Sequence, residues 1–187
     1  RRRAFTAAAR MSSTATELHY VKIQGPLRVA RTYRLKPQSY NVEMETLLSN
    51  ESEQVLRPQV GMSWNVASKN SGGGILAMFM PPPDLWTALS FSTGNKLGKI
   101  TPKEGLSAEE VGDIKWVSLG SRYFMVAALP KWQGASKAQT SLQTIDKTQD
   151  LKSTLWSPQI KINPGEKQSI DLSLFLGPKK LSLLEAQ

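Results

Sequence analysis

The chain contains no cysteine, so neither a disulfide nor a thiolate metal site is available to it. That absence leaves the compartment open, because it suits an oxidising space and the cytosol alike. Histidine is nearly missing too, with His19 standing alone. Histidine-based metal ligation is thereby excluded, and a serine nucleophile would lack any other base. No G-x-S-x-G elbow occurs. Long apolar runs are also wanting: no stretch of about 18 residues could cross a bilayer as a helix. Arg1 to Arg3 makes a basic start, but Ala4 to Ala9 is too short for the apolar core of a signal peptide.

What is present is an ordinary globular composition. The 187 residues are 40% hydrophobic and 21% charged, enough for one domain with a substantial core. Lys and Arg number 24 against 15 acidic residues, a net charge of +9 that favours anionic partners such as anionic lipid headgroups. The basic residues are scattered from Lys22 to Lys167 without interleaved aromatics, which argues against nucleic acid as a partner. A solvated basic surface is the simplest reading of the charge. The chain opens without Met and stops at Gln187 inside a helical pattern, as a domain excised from a longer protein would.

The dominant period is two. Ile170, Leu172, Leu174 and Leu176 alternate with polar residues, as do Tyr40, Val42 and Met44, the pattern of half-buried strands. Further strands are expected at 17–24, 28–35, 55–67, 86–92, 114–119, 122–129, 139–145 and 153–162. Turn residues separate them at Gly25-Pro26, Lys36-Pro37, Ser49-Asn50 and Asn163-Pro164-Gly165. Many short strands with almost no helix-period segment predict an all-β antiparallel sandwich. Ser107 to Glu110 reads as a capping box opening one helical turn. Pro178 suits a first helical position, and Leu181, Leu183 and Leu184 follow it, so a short C-terminal helix is expected from there. The polar, glycine-rich 69–74 and the three prolines within Met80 to Asp84 read as a loop crossing the end of the sandwich. Phe79-Met80 could make that loop a sticky surface for a peptide or membrane.

No constellation of catalytic type emerges. Glu43 with Glu45, and Glu109 with Glu110, are paired carboxylates of the kind a glycosidase needs, yet both fit solvated positions better. His19 sits in an alternating strand, where a lone histidine is usually structural. Gly72-Gly73-Gly74 lacks the lysine and helix of a phosphate loop. Asn50-Glu51-Ser52 matches a glycosylation sequon, a pattern common by chance. No metal, cofactor or catalytic residue is assigned.

The segment IKWVSL with Arg122-Tyr123-Phe124, then Leu155-Trp156-Ser157-Pro158 and Leu176-Gly177-Pro178-Lys179, resembles the large periplasmic domain of the bacterial membrane protein insertase family YidC. RVARTYRLKPQSYNV at 28–42 and the N-x-S turn within 47–58 resemble that family's earlier strands. The resemblance implies a twisted antiparallel β-supersandwich of galactose mutarotase-like shape with a short C-terminal helix. It implies residues 17–177 as the periplasmic sandwich and 178–187 as the start of a helix coupling it to the membrane core. Residues 1–16 would then be a divergent strand or a stretch foreign to the domain. The implied function is non-catalytic assistance to insertion and folding of inner-membrane proteins, with Sec translocon components and nascent membrane proteins as partners, to which the positive charge adds anionic lipid headgroups. Gly177, Pro178, Leu181 and Leu184 would carry the coupling, and 55–64 would face the translocon. Mutarotases work with paired histidines and a carboxylate, which one histidine cannot supply. The alternative is an extracytoplasmic sandwich binding carbohydrate or lipid, which tryptophans among Trp64, Trp86, Trp116, Trp132 and Trp156 stacked along a groove would favour.

Overall fold

The computed structural model describes residues 9–69, 89–93, 96–103, 105–121, 123–145 and 148–180. The strands are β1 (Ala9–Ser13), β2 (Glu17–Gln24), β3 (Leu27–Leu35), β4 (Asn41–Asn50), β5 (Gly61–Lys69), β6 (Leu89–Thr93) and β7 (Lys96–Ile100). They continue as β8 (Ser107–Gly112), β9 (Ile114–Gly120), β10 (Phe124–Pro130), β11 (Ser136–Ile145), β12 (Thr148–Trp156) and β13 (Lys167–Pro178). No helix occurs among the described residues. The all-β antiparallel reading of the sequence therefore stands. Contacts divide the chain into two compact units: 1–59, 129–132 and 159–175 form the first, and 60–128, 133–158 and 176–187 the second.

In the first unit the strand order is β1-β2-β3-β4-β13. Alternation along β4 sorts its side chains cleanly: Val42, Met44, Thr46 and Leu48 are buried, whereas Glu43, Glu45 and Leu47 between them are only partly covered. The register sets Leu174 opposite Val42, Leu172 opposite Met44 and Ile170 opposite Thr46, so one face of β4 and β13 becomes core. Gly25 has φ of 59° in the two-residue turn joining β2 to β3, the left-handed first position that precedes Pro26 in a II′ hairpin. β1 pairs with β2, so the residues before Glu17 include a strand of this sheet.

A single buried amide organises the loops of this unit. Asn50, 2% exposed, donates from Nδ2 to the carbonyls of Gln54 at 2.7 Å and Ile162 at 3.1 Å. Its Oδ1 accepts from the Ser52 N–H at 3.0 Å and the Ser52 hydroxyl at 2.8 Å. Its backbone N–H donates to the Glu166 carbonyl, and its carbonyl accepts from the Gly165 N–H. Gly165, at φ 71°, is the left-handed third residue of the Asn163-Pro164-Gly165-Glu166 turn, a position glycine occupies without strain. Leu56 and Ile162 exchange both backbone bonds beside it, at 3.0 and 2.9 Å. The N-x-S sequence is thus a buried structural joint and offers no exposed amide to a glycan.

The second unit holds the order β10-β9-β6-β7 and a four-stranded sheet β5-β12-β11-β8. Leu89, Phe91, Val117, Leu119, Ala128, Ala138, Leu151 and Leu155 form its core. Three expectations are corrected here. Ser107 to Glu110 begins β8, because six consecutive residues pair with β11 from Ser107–Ser141 to Gly112–Ser136 and that ladder outweighs a local cap. The strand expected from Val55 starts only at Gly61, with Leu56 contributing an isolated bridge to Ile162. The strand expected at 153–162 is β12, which begins at Thr148 and ends at Trp156. β7 went unforeseen, since KLGKI carries a glycine. Gly98 is required there because the Phe91 ring lies where a Cβ would stand.

Replacing Asn50 by Ala should cost about 2 kcal/mol, as it removes the bonds of a buried amide to the Gln54 and Ile162 carbonyls and from the Ser52 N–H and hydroxyl. Thermal denaturation should then show Tm lowered by about 4–8 °C. A change indistinguishable from that of an exposed Asn→Ala control would mean that the joint is dispensable.

Candidate coupling surface and charged face

Of the residues assigned to coupling, Gly177 and Pro178 are described, while Leu181 and Leu184 lie outside the described residues. Gly177 is buried and Pro178 half-buried as the last two residues of β13. Pro178 therefore ends a strand; it is not the first residue of a helix. Strand pairing explains this: the Lys179 N–H donates to the Tyr123 carbonyl at 2.7 Å, which holds the chain extended against β10 through Pro178. The bend comes just afterwards, where the Lys180 N–H reaches back to the Pro178 carbonyl at 2.8 Å.

The partner of this exit is the turn between β9 and β10, which contains the Arg-Tyr-Phe motif. Ser121 is buried there, its N–H bonded to the Phe124 carbonyl at 2.9 Å, and its hydroxyl accepts from the Phe124 N–H at 3.2 Å. The Lys179 ammonium donates to the Ser121 carbonyl at 2.5 Å. Its stem runs across Gly120, where a Cβ would stand 2.6 Å from Cε of the lysine. One residue of the exit is thus tied to the hairpin by backbone, ammonium and packing at once. Arg122 lies outside the described residues.

The first unit carries two other surface features. The sheet face bearing Glu17, His19, Arg34, Glu43 and Glu45 is a network of ions. Arg34 donates to Glu17 at 2.8 Å and to Glu45 at 3.0 Å, while His19 Nδ1 pairs with the Thr32 hydroxyl at 2.9 Å. Glu43 accepts from Lys131, from Lys36 at 3.3 Å and from the Ser173 hydroxyl at 3.2 Å. Partial burial alone would push the Glu43 carboxyl up, yet the bond and charge of Lys131, then those of Lys36, outweigh it and hold the group below its usual 4.5. Of the paired carboxylates, Glu43 is held by two lysines and Glu45 by Arg34 alone. On the other face Leu18, Tyr20, Tyr33, Leu35 and Val42 line an apolar groove, with Tyr20 and Tyr33 edge to face at 6.1 Å. Sequence reasoning missed this groove, because its residues come from three strands and only the register unites them.

Trp64 and Trp156 do not line one surface as a sugar platform would require. Trp64 lies opposite Ser153 and Trp156 opposite Gly61, so these two indoles take opposite faces of the β5–β12 pair. Trp86 lies outside the described residues. Among the described residues no group of three or more His, Asp or Glu is placed to hold a metal ion.

Because the Glu43 carboxyl titrates below its unfolded value, its ion pairs stabilise fully above that value, and the contribution disappears as pH falls through the folded one. Glu43→Gln should therefore lower stability near neutral pH by no more than about 1 kcal/mol. The difference from wild type should vanish at acid pH below 4.5, read from urea midpoints across the range. A gap that persists unchanged into acid would show that the pairing contributes nothing.

A family model described as the YidC periplasmic domain matches residues 1–187. The membrane protein insertase YidC of Syntrophus aciditrophicus is 26% identical over 168 residues, covering 87% of this chain and 28% of that protein. The insertase of the same name from Pelobacter propionicus is 33% identical over 95 residues, covering 50% of this chain and 17% of its own length. The chain thus spans less than a third of these curated relatives. Among solved structures, a putative aldose 1-epimerase from Escherichia coli K12 aligns with TM-score 0.60 at 11% identity, over 92% of this chain and 69% of that one. A galactose mutarotase related enzyme from Lactobacillus acidophilus aligns with TM-score 0.56, also at 11% identity, over 91% and 71%. At such identity the likeness is one of fold alone, that of a mutarotase-like sandwich. The match of sequence runs the whole length of this all-β chain, and the chain belongs to the YidC periplasmic domain family, the periplasmic portion of a bacterial inner-membrane protein insertase.

Proposed function

We propose that this domain assists insertion and folding of inner-membrane proteins without catalysing a reaction, by docking client segments and the Sec translocon and by transmitting position to the membrane core. The observation that carries this reading is the threefold hold of the β9–β10 hairpin on Lys179. A strand tied in this way passes displacement of the following segment into the sheet, which a loosely tethered exit would absorb. Gly177 and Pro178 form the rigid end of that connection, and Leu181 and Leu184 supply apolar side chains at helical spacing for contact with a partner.

Two surfaces suit extended clients. The apolar groove of Leu18, Tyr20, Tyr33, Leu35 and Val42 offers aromatic and aliphatic contact to a chain not yet folded. β5 stands at the margin of its sheet, paired with β12 alone among the described strands, so its free edge can accept an added strand. The stretch 55–64, with Val55 exposed, leads into that edge and is our candidate for the translocon-facing segment. The carbohydrate-binding alternative loses ground with Trp64 and Trp156 on opposite faces.

Leu181→Asp combined with Leu184→Asp, placed in the full-length insertase, tests the coupling. The isolated 187-residue chain carrying both changes should keep its circular dichroism and Tm, while the full-length variant should fail to support growth of an insertase-depleted strain. Normal complementation would remove the coupling role of these leucines.

A further inference from the structure

Past Gly120 and Ser121 the core face of the second unit opens among the described residues. The bond from Lys179 to Tyr123 sets these two residues opposite one another, so Pro178 falls opposite Phe124 and Leu176 opposite Val126. Val126 in turn faces Leu119 across the β9–β10 pair. Followed inward, this row is ordinary core, with Leu119 and Ala128 fully buried. Followed outward it opens: Val126 is half-buried, Leu176 is 45% exposed and Phe124 57%. The opposite side of the same tip presents Tyr123, 63% exposed. An apolar wedge two strands wide therefore projects from one end of the sheet.

Cations rim that wedge. Lys179 and Lys180 follow it directly, both exposed. Leu119 lies opposite Leu89, and Leu89 opposite Ile100, so the chain leaves β7 at this same end, bringing Lys103 and the 59% exposed Leu106 with it. Among the described residues Asp150 is the one carboxylate of the unit that the register carries toward this end, beside the β11–β12 turn. The opposite end is balanced, with Lys96 bonded to Glu110 and Lys115 to Asp113. Apolar side chains and cations thus meet at this end, while at the other end the exposed Leu97 and Val111 lie among paired charges.

We propose that this tip docks on a bilayer surface rich in anionic phospholipid, with Phe124 and Leu176 entering the headgroup–acyl boundary and Lys179, Lys180 and Lys103 pairing with lipid phosphates. Aromatic side chains with an apolar body favour that boundary, and clustered lysines add attraction to anionic headgroups. The charge argues for lipid over a protein face: among the described residues Lys103, Lys179 and Lys180 at this end outnumber the single carboxylate Asp150, and such an excess beside a small wedge matches a laterally continuous anionic surface. The site lies in a periplasmic domain of an inner-membrane protein family, where such a surface is at hand. The inference goes beyond the insertion reading and does not need it, since lipid contact and client handling are separable.

The test uses the 187-residue chain and sedimentation with large vesicles of phosphatidylglycerol and phosphatidylethanolamine, against vesicles of phosphatidylcholine. The chain should partition onto the anionic vesicles and be released by salt. Phe124→Ser with Lys180→Glu should reduce that partition by roughly tenfold or more, with circular dichroism unchanged. Lys167→Glu, which removes the same charge from β13 in the first unit, should leave it nearly intact. In Phe124→Trp the tryptophan emission should gain a blue-shifted component only with anionic vesicles. Absence of binding, equal loss in Lys167→Glu, or retention of binding by the double variant would overturn the proposal. So would self-association of the chain through Phe124 without vesicle binding, which would assign the wedge to a second copy. A full-length insertase carrying the double variant separates the two readings, because lost lipid partition with normal insertion leaves this inference standing and removes insertion from the role of the tip.

Discussion

The first unit depends on one constraint: strands β4 and β13 lie side by side although the chain between them runs through most of the second unit. Asn50 meets it. Its amide reaches Ile162, 112 residues away in sequence, and the same side chain closes the local turn through Ser52 and Gln54. Every polar atom of that buried group has a partner, so the desolvation cost is offset, and the geometry admits only one alignment of the two loops. With the loops fixed, Lys167 falls opposite Ser49 and the alternating apolar residues of β4 and β13 meet on one face. A slip of one residue would turn Met44 and Leu172 to the charged face and bring Glu43 and Ser173 into the core.

That constraint was only half legible in the sequence. The period-two pattern of β2, β4 and β13 could be read directly, because one face of each meets water or ions and the other does not. The strands that misled are those whose identity comes from neighbours. Ser107 to Glu110 carries a convincing cap sequence, and only the six-residue ladder to β11 makes it a strand. β7 contains a glycine that reads as a breaker until the ring of Phe91 is seen lying on it. Asn50-Glu51-Ser52 looked like a chance sequon, since nothing local announces that its amide will be buried against a distant loop. The coupling residues show the same limit. Pro178 is equally suited to a helix start and to a strand end, and the choice is made by the Tyr123 carbonyl.

On a mutarotase-like shape, what the described strands present is charge paired with charge. Glu43 and Glu45 occupy a face where Lys36, Lys131 and Arg34 neutralise them, so the carboxylates that could have served sugar chemistry are spent on cohesion between β3, β4 and the segment after β10. Trp64 and Trp156, which a carbohydrate groove would align, diverge across a sheet. Two of the surfaces left open to solvent are apolar: the Tyr20–Tyr33 groove and the wedge at Phe124.

Both unsatisfied surfaces lie where strand register runs out. At the groove, β2 and β3 extend the sheet sideways past the strands that β4 and β13 cover, so Leu18, Tyr33 and Leu35 keep core chemistry with less burial. At the wedge, β10 and β13 extend lengthwise toward a hairpin whose own tip is too short to cover them. Excess strand of this kind costs stability in a free domain, because apolar area stays in water. It is economical where a lipid surface or an extended client supplies the missing layer. The hydrogen-bonded grip on Lys179 then acquires a reason, since an exposed apolar end would otherwise fray from its hairpin and lose the alignment that makes it a surface at all.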